Sequence, residues 1–131
     1  MKKKIIWIID DDAIYQKIIE KIIKKSGVIS SHTSFSNGNE AINTLKNTLE
    51  DNKQLPDIIL LDINMPVMDG WEFMEEIKYL KSKIDKRIII YMVSSSIAPE
   101  DKNKSKTFTD IYSYIPKPVS VNDLIAIVSN E

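Results

Sequence analysis

Five short, almost purely apolar runs, each separated from the next by a stretch of helical periodicity, limit this chain to a small set of folds. The runs are Ile5-Ile6-Trp7-Ile8-Ile9, a weaker Ser31 to Phe35, Ile58-Ile59-Leu60-Leu61, Ile88 to Val93, and Ile111 to Ile115. Runs of strand length without polar alternation suit strands covered on both faces, the habit of parallel sheets. The first helix is expected to start at an Asp12 cap, carry Ile14, Ile18, Ile19, Ile22 and Ile23 on one stripe, and stop at Gly27. A second is expected from Asn39 to Leu49 with Ala41, Ile42, Leu45 and Leu49 inward. A third follows Asp69-Gly70 with Phe73, Met74, Ile77 and Leu80 inward. The fourth covers Pro99 to Phe108, and the fifth starts near Val121-Asn122 with Leu124, Ile125 and Val128 on its apolar side. The pattern is (βα)₅, which predicts an α/β, doubly wound, five-stranded parallel sheet with helices on both faces.

The chain has 131 residues, the size of one domain, and 1–131 is read as such. A net charge of -1 gives no electrostatic argument for nucleic acid or anionic membrane. The absence of cysteine excludes disulfides, thiolate metal sites and cysteine nucleophiles. Met1 to Ile9 has a basic start, but its apolar part, Ile5 to Ile9, is too short for a signal-peptide core or a membrane span. The expected location is therefore cytoplasmic. No internal repeat or low-complexity tract is visible.

The chemically interesting side chains fall just after strands. Asp10 and Asp11 follow the first, Asp62 ends the third, Ser94 follows the fourth and Lys117 the fifth. In open parallel sheets, sites form at the carboxyl edge of the strands, so these residues share one rim. Clustered carboxylates raise one another's pKa unless a cation neutralises them, and a hard divalent ion such as Mg²⁺ takes oxygen ligands of this kind. Lys117 adds a mobile positive charge and Ser94 a hydroxyl donor. Such a set fits an anionic phosphoryl group beside a metal, with a carboxylate able to act as nucleophile. Taken singly, each has a plainer reading: a solvated helix start for Asp10-Asp11-Asp12, a loop acid for Asp62, a polar turn for Ser94-Ser95-Ser96, a surface lysine for Lys117. Their convergence on one rim favours the site.

The segments Ile8-Ile9-Asp10-Asp11-Asp12, Leu60 to Gly70 (LLDINMPVMDG), Met92-Val93-Ser94-Ser95 and Tyr114-Ile115-Pro116-Lys117-Pro118 resemble those of response-regulator receiver domains of two-component systems, the chemotaxis-type fold. The resemblance covers essentially the whole chain. It implies the flavodoxin-like strand order 2-1-3-4-5 and a phosphoaspartate at Asp62. It further implies Mg²⁺ held by Asp11 directly, Asp10 through water, Asp62, and the backbone carbonyl of Asn64. Ser94 matches the hydroxyl that turns toward the phosphoryl group, Tyr114 the aromatic switch, and Lys117 the family's lysine, with a cis bond to Pro118. The implied phosphodonor is a histidine kinase or a histidine phosphotransfer protein, and the output is a contact with a downstream protein. Neither direct nucleic-acid binding nor membrane attachment is expected. The chain is read as a phosphoacceptor signalling domain rather than an enzyme, with self-catalysed phosphorylation and dephosphorylation. His32 lies in the second strand pattern and is read as a structural or surface residue, not the donor histidine.

Three features depart from the family pattern. Pro116 removes a ladder donor from the last strand, which suggests an edge position. The turn before that strand reads Asp110-Ile111 where a Gly-Ala pair is common. The fourth helix is poor in apolar residues: Ile97 and Ala98 precede it, and Phe108 is its one large apolar residue. Three other kinds of protein share part of this pattern. A haloacid-dehalogenase-like phosphatase also uses an aspartyl nucleophile with Mg²⁺, but needs an Asp where Asn64 stands, and a cap domain. A flavodoxin-like carrier would place a flavin phosphate against an acidic first loop. A receiver serving only as an unphosphorylated scaffold would have no use for the complete site.

Overall fold

The computed structural model describes residues 4–96 and 98–129, with Ser30 described through its backbone alone. Met1 and Ile97, both named above, lie outside these ranges. The elements alternate throughout. They are β1 Lys4–Ile9, α1 Ala13–Ser26, β2 Ile29–Phe35, α2 Gly38–Asn47, β3 Ile58–Leu61, α3 Gly70–Leu80, β4 Ile89–Ser94, α4 Pro99–Thr107, β5 Ile111–Pro116 and α5 Val121–Ser129, with one 3₁₀ turn, Lys81–Lys83, after α3. All strands pair in parallel in the order β2-β1-β3-β4-β5. The five-stranded α/β fold anticipated from the alternation is the one observed.

Side-chain parity along each strand divides the core in two. Trp7, Ile9, Ile59, Leu61, Ile90 and Met92 face α2 and α3. Ile6, Ile8, Ile58, Leu60, Ile89, Tyr91 and Val93 face α1 and α5. Every residue of β3 and β4 is buried, which explains why these strands read as unbroken apolar runs. Strand β5 is an edge, as Pro116 suggested, and its residues are exposed or half-buried.

Local chemistry fixes the helix ends. The Asp12 carboxylate accepts the N–H groups of Ile14 and Tyr15, and Gly27 closes α1 in the left-handed region at φ 69°. Asp69 and Glu72 form a capping box on α3, and Ser120 with Asp123 exchanges the same pair of bonds ahead of α5. Helix α2 is capped by Asn37 and ends at Asn47, so Leu49 packs against the core from beyond the helix.

Two of the expected apolar stripes need correction. On α1 the buried residues are Tyr15, Ile19 and Ile23, while Ile14 is 74% and Ile18 44% exposed. Five isoleucines span a wider arc than a flat sheet can cover, and Tyr15 takes the central place. On α5 the buried pair is Leu124 and Ile127, one turn face away from the exposed Ile125. Helix α4 buries only Ser105; Phe108, just past its end, stacks on Trp71 with ring centroids 5.7 Å apart.

Candidate functional site

Register brings the acids together. Ile9 lies opposite Leu61 in the β1–β3 ladder, and the N–H of Asp62 donates to the carbonyl of Ile9 at 2.9 Å. The next residues on each strand, Asp10 and Asp62, therefore leave the sheet side by side. One oxygen from each of Asp10, Asp11 and Asp62 lies within 4.8 Å of the others. Asp10 and Asp62 are buried and Asp11 is exposed, so the cluster opens to solvent on one side.

The surroundings bear unequally on these carboxylates. Asp62 is pushed up to about 6, first by burial and then by the charge of Asp10, against the opposing pull of Lys117 and the Ile63 N–H. Asp10 is more fully engaged. Its Oδ1 accepts the N–H of Asp12 at 2.9 Å, and its Oδ2 lies 2.7 Å from Lys117 Nζ. The Gln16 amide donates to the Asp10 carbonyl at 2.6 Å, which fixes the strand end from the helix side. Lys117 stands 3.5 Å from Asp62 Oδ1. Burial would lower its pKa, but the hydrogen bond and charge of Asp10, with Asp62 and Tyr15 adding to them, hold it above the ordinary lysine value.

Strand β5 delivers Lys117 to this rim. Its N–H donates to the Ser94 carbonyl at 3.0 Å, and the Lys117–Pro118 bond is cis, as the resemblance implied. Ser94 is buried as the last residue of β4, where its Oγ accepts the Ser96 N–H at 3.1 Å. Ser96 is a junction: its hydroxyl donates to Asp101 at 2.6 Å, and its carbonyl accepts the Tyr114 hydroxyl at 2.9 Å. Asn64 is exposed in the loop between β3 and α3. His32 pairs with Glu20 at 3.8 Å between β2 and α1 and takes no part in the acidic cluster.

Three contributors escaped the sequence reading. Tyr15 lies under Lys117 with its ring centroid 4.5 Å from Nζ. Gln16 fixes the Asp10 carbonyl, and Gly70 lets α3 approach the backbone of Asp62. Only Gly70 carried a readable signal, as the glycine that follows a helix cap. A groove of about 380 Å³ lies elsewhere, lined by Ile77, Lys81, Lys86, Asp110 and Tyr112 near the starts of β4 and β5, and Asp10, Asp11 and Asp62 are not among its walls.

The oxygen-only donor set suits a hard cation such as Mg²⁺. With Asp10 already bonded through both oxygens, Asp11 and Asp62 are the more available ligands. Among the described residues, no helix is long and apolar enough to cross a membrane.

Comparison with known proteins agrees with this geometry. Residues 6–129 match the family model of the response regulator receiver domain. The DNA-binding transcriptional regulator NtrC of Salmonella typhimurium is 30% identical over 98% of this chain, and the sensor histidine kinase CheAY of Helicobacter pylori 34% identical over 95%. The chain spans only 24% and 14% of those two proteins' lengths. A two-component response regulator from Cytophaga hutchinsonii superimposes with a TM-score of 0.81 at 33% identity, covering 99% of this chain and 100% of that one. The chain belongs to the response regulator receiver domain family of two-component signalling.

Proposed function

We propose that Asp62 accepts a phosphoryl group from a phosphohistidine on a histidine kinase or histidine phosphotransfer protein, in the cytoplasm. The observation that carries this reading is the grouping of Asp10, Asp11 and Asp62 beside Lys117. Three carboxylates and a lysine on one rim support reading Asp62 as the nucleophile, the acids as metal ligands and Lys117 as the cation for the phosphoryl group. In the transfer, an Asp62 carboxylate oxygen forms its bond to phosphorus as the phosphorus–nitrogen bond breaks. The electron pair returns to the imidazole.

Asp10, Asp11, Asp62 and the carbonyl of Asn64 would hold Mg²⁺, which when bound neutralises charge on the carboxylates and the phosphoryl oxygens. Lys117 is already within 3.5 Å of Asp62 and supplies further positive charge. The Ser94 hydroxyl turns to the phosphoryl oxygens, and the change passes through Ser96 to Tyr114 and α4, where a downstream protein reads it. The same groups serve self-catalysed phosphorylation from small donors and the later hydrolysis of the phosphoaspartate.

The test is incubation with acetyl phosphate and Mg²⁺ followed by intact mass measurement. Wild type should gain one phosphoryl group and Asp62→Asn none. An equal gain in the variant would overturn the assignment.

A further inference from the structure

We infer that Tyr15 is a positioning residue for the phosphoryl-transfer site, acting through Lys117, whose ammonium its ring face holds against the carboxylates. The inference rests on the phosphorylation reading of Asp62 given above. Four residues close a circuit. The Asp12 N–H donates to Asp10 at 2.9 Å, and the Asp12 carboxylate accepts the Tyr15 N–H at 3.1 Å. The Tyr15 ring centroid lies 4.5 Å from Lys117 Nζ, which in turn bonds to Asp10 at 2.7 Å. The turn that orients Asp10 thus also places the ring.

Tyr15 packs into the core between sheet, α1 and α5, and filling that space is what any large apolar side chain would do. Two facts go beyond filling. The ring face is turned to a cation that is itself largely buried, its side chain 16% exposed. The phenol hydroxyl is enclosed beside the Val119 backbone, so it is the ring face and not the polar end that meets the ammonium. An aromatic face attracts an ammonium through its quadrupole, most strongly where water is excluded.

The attraction has little directional demand, and that suits the task. In this structure Lys117 is bonded to Asp10 and stands 0.8 Å farther from Asp62 (3.5 against 2.7 Å). Once Asp62 carries a phosphoryl group, the ammonium shifts its bond from Asp10 to the new oxygens. The ring keeps the remaining side of the ammonium dry in both positions.

The experiment compares wild type, Tyr15→Phe, Tyr15→Leu and Ile19→Val, the last loosening the same buried helix face without touching Lys117. Phosphorylation by acetyl phosphate at saturating Mg²⁺ is followed by mass. The ε-methylene protons of Lys117 are followed by NMR, where the ring current of Tyr15 shifts them upfield. Tyr15→Phe and Ile19→Val should stay within about twofold of the wild-type rate, and Tyr15→Leu should be about three- to tenfold slower. The upfield shift should persist in Tyr15→Phe and vanish in Tyr15→Leu. A wild-type rate in Tyr15→Leu, or an equal slowing in Tyr15→Phe or Ile19→Val, would overturn the role. A wild type that shows the shift but takes no phosphoryl group would instead overturn the phosphorylation reading and this role with it.

Discussion

A Cβ built on Gly70 would collide with the carbonyl oxygen of Asp62. The first residue of α3 therefore lies against the backbone of the candidate phosphoacceptor with no room for a side chain. The N–H of Gly70 donates to the Ile63 carbonyl at 2.8 Å and holds the approach in place. The clash is with backbone, so no rotamer change relieves it. Gly70→Ala should cost about 1–3 kcal/mol of stability, the usual range for overpacking. It should also slow phosphorylation, since the strand end carrying Asp62 must move. Denaturant melts and mass-followed phosphorylation check both.

The raised pKa of Asp62 makes a statement about stability and pH. A carboxyl whose folded value, about 6, exceeds its ordinary value stabilises the fold while both states hold the proton, and that contribution is lost as pH rises through about 6. Asp62→Asn removes the charge without changing the shape. In the absence of metal it should melt higher than wild type at pH 7–8, by on the order of 1 kcal/mol. The gain should disappear by roughly pH 4, where wild-type Asp62 is itself neutral. A gain that is constant across this range would remove repulsion at Asp62 as its cause.

Metal should act on the same cluster. Mg²⁺ favours the native carboxylates, so added Mg²⁺ should raise the melting temperature of wild type by mass action. Asp11→Ala should lose most of that increase and, with one acid fewer, be more stable than wild type when metal-free. The Mg²⁺ response of wild type should also fade as pH falls below about 6, because Asp62 then carries a proton. Thermal melts with and without a chelator, repeated across pH, measure these four outcomes.

Helix α4 should be the least protected helix in the protein. It buries only Ser105, and packing of an apolar face supplies most helical stability. Its fixed points are at its ends: Ser96 bonded to Asp101, and Phe108 stacked on Trp71 under Lys104. Amides from Asp101 to Phe108 should exchange fast in the free protein and slow markedly with beryllofluoride, a phosphoryl mimic. Slow exchange in both states would show that the helix is fixed before any signal arrives.

Val67 offers a test of strain. It holds φ 68° in the loop between β3 and α3 with its side chain 78% exposed. A β-branched residue in the left-handed region costs roughly 1–2 kcal/mol, and no buried contact offsets it. Val67→Gly should therefore be neutral or stabilising by up to about 1 kcal/mol, after glycine's greater unfolded-state entropy is subtracted. A clear loss of stability would mean the exposed valine makes a contact that its exposure conceals.

The fold was legible because β1, β3 and β4 lie inside the sheet, where continuous apolar runs have one physical explanation. The acids were legible because strand ends in a parallel sheet share an edge, and the ladder register then sets Asp10 beside Asp62. What failed was finer than a strand. Apolar character alone puts Ile14 and Ile18 inward, but a helix on a sheet buries a limited arc and Tyr15 fills its centre. Tyr15 meets Lys117, which is distant in sequence, and Gln16 bonds both Asp10 and the distant Phe35, and no apolar or charge pattern encodes those contacts.

Ser96 spends every backbone and side-chain polar group it has on a different element. Its N–H goes to Ser94, its carbonyl to Tyr114 on β5 and its hydroxyl to Asp101 on α4. A hydrogen bond weakens steeply when stretched or bent, so such a hub does not yield by degrees. Displacing Ser94 either carries strand and helix along as one piece or severs a link outright. If phosphorylation of Asp62 displaces Ser94 as proposed, the surface of α4 and β5 should change in discrete steps, and a partner there would meet one of two arrangements rather than a continuum.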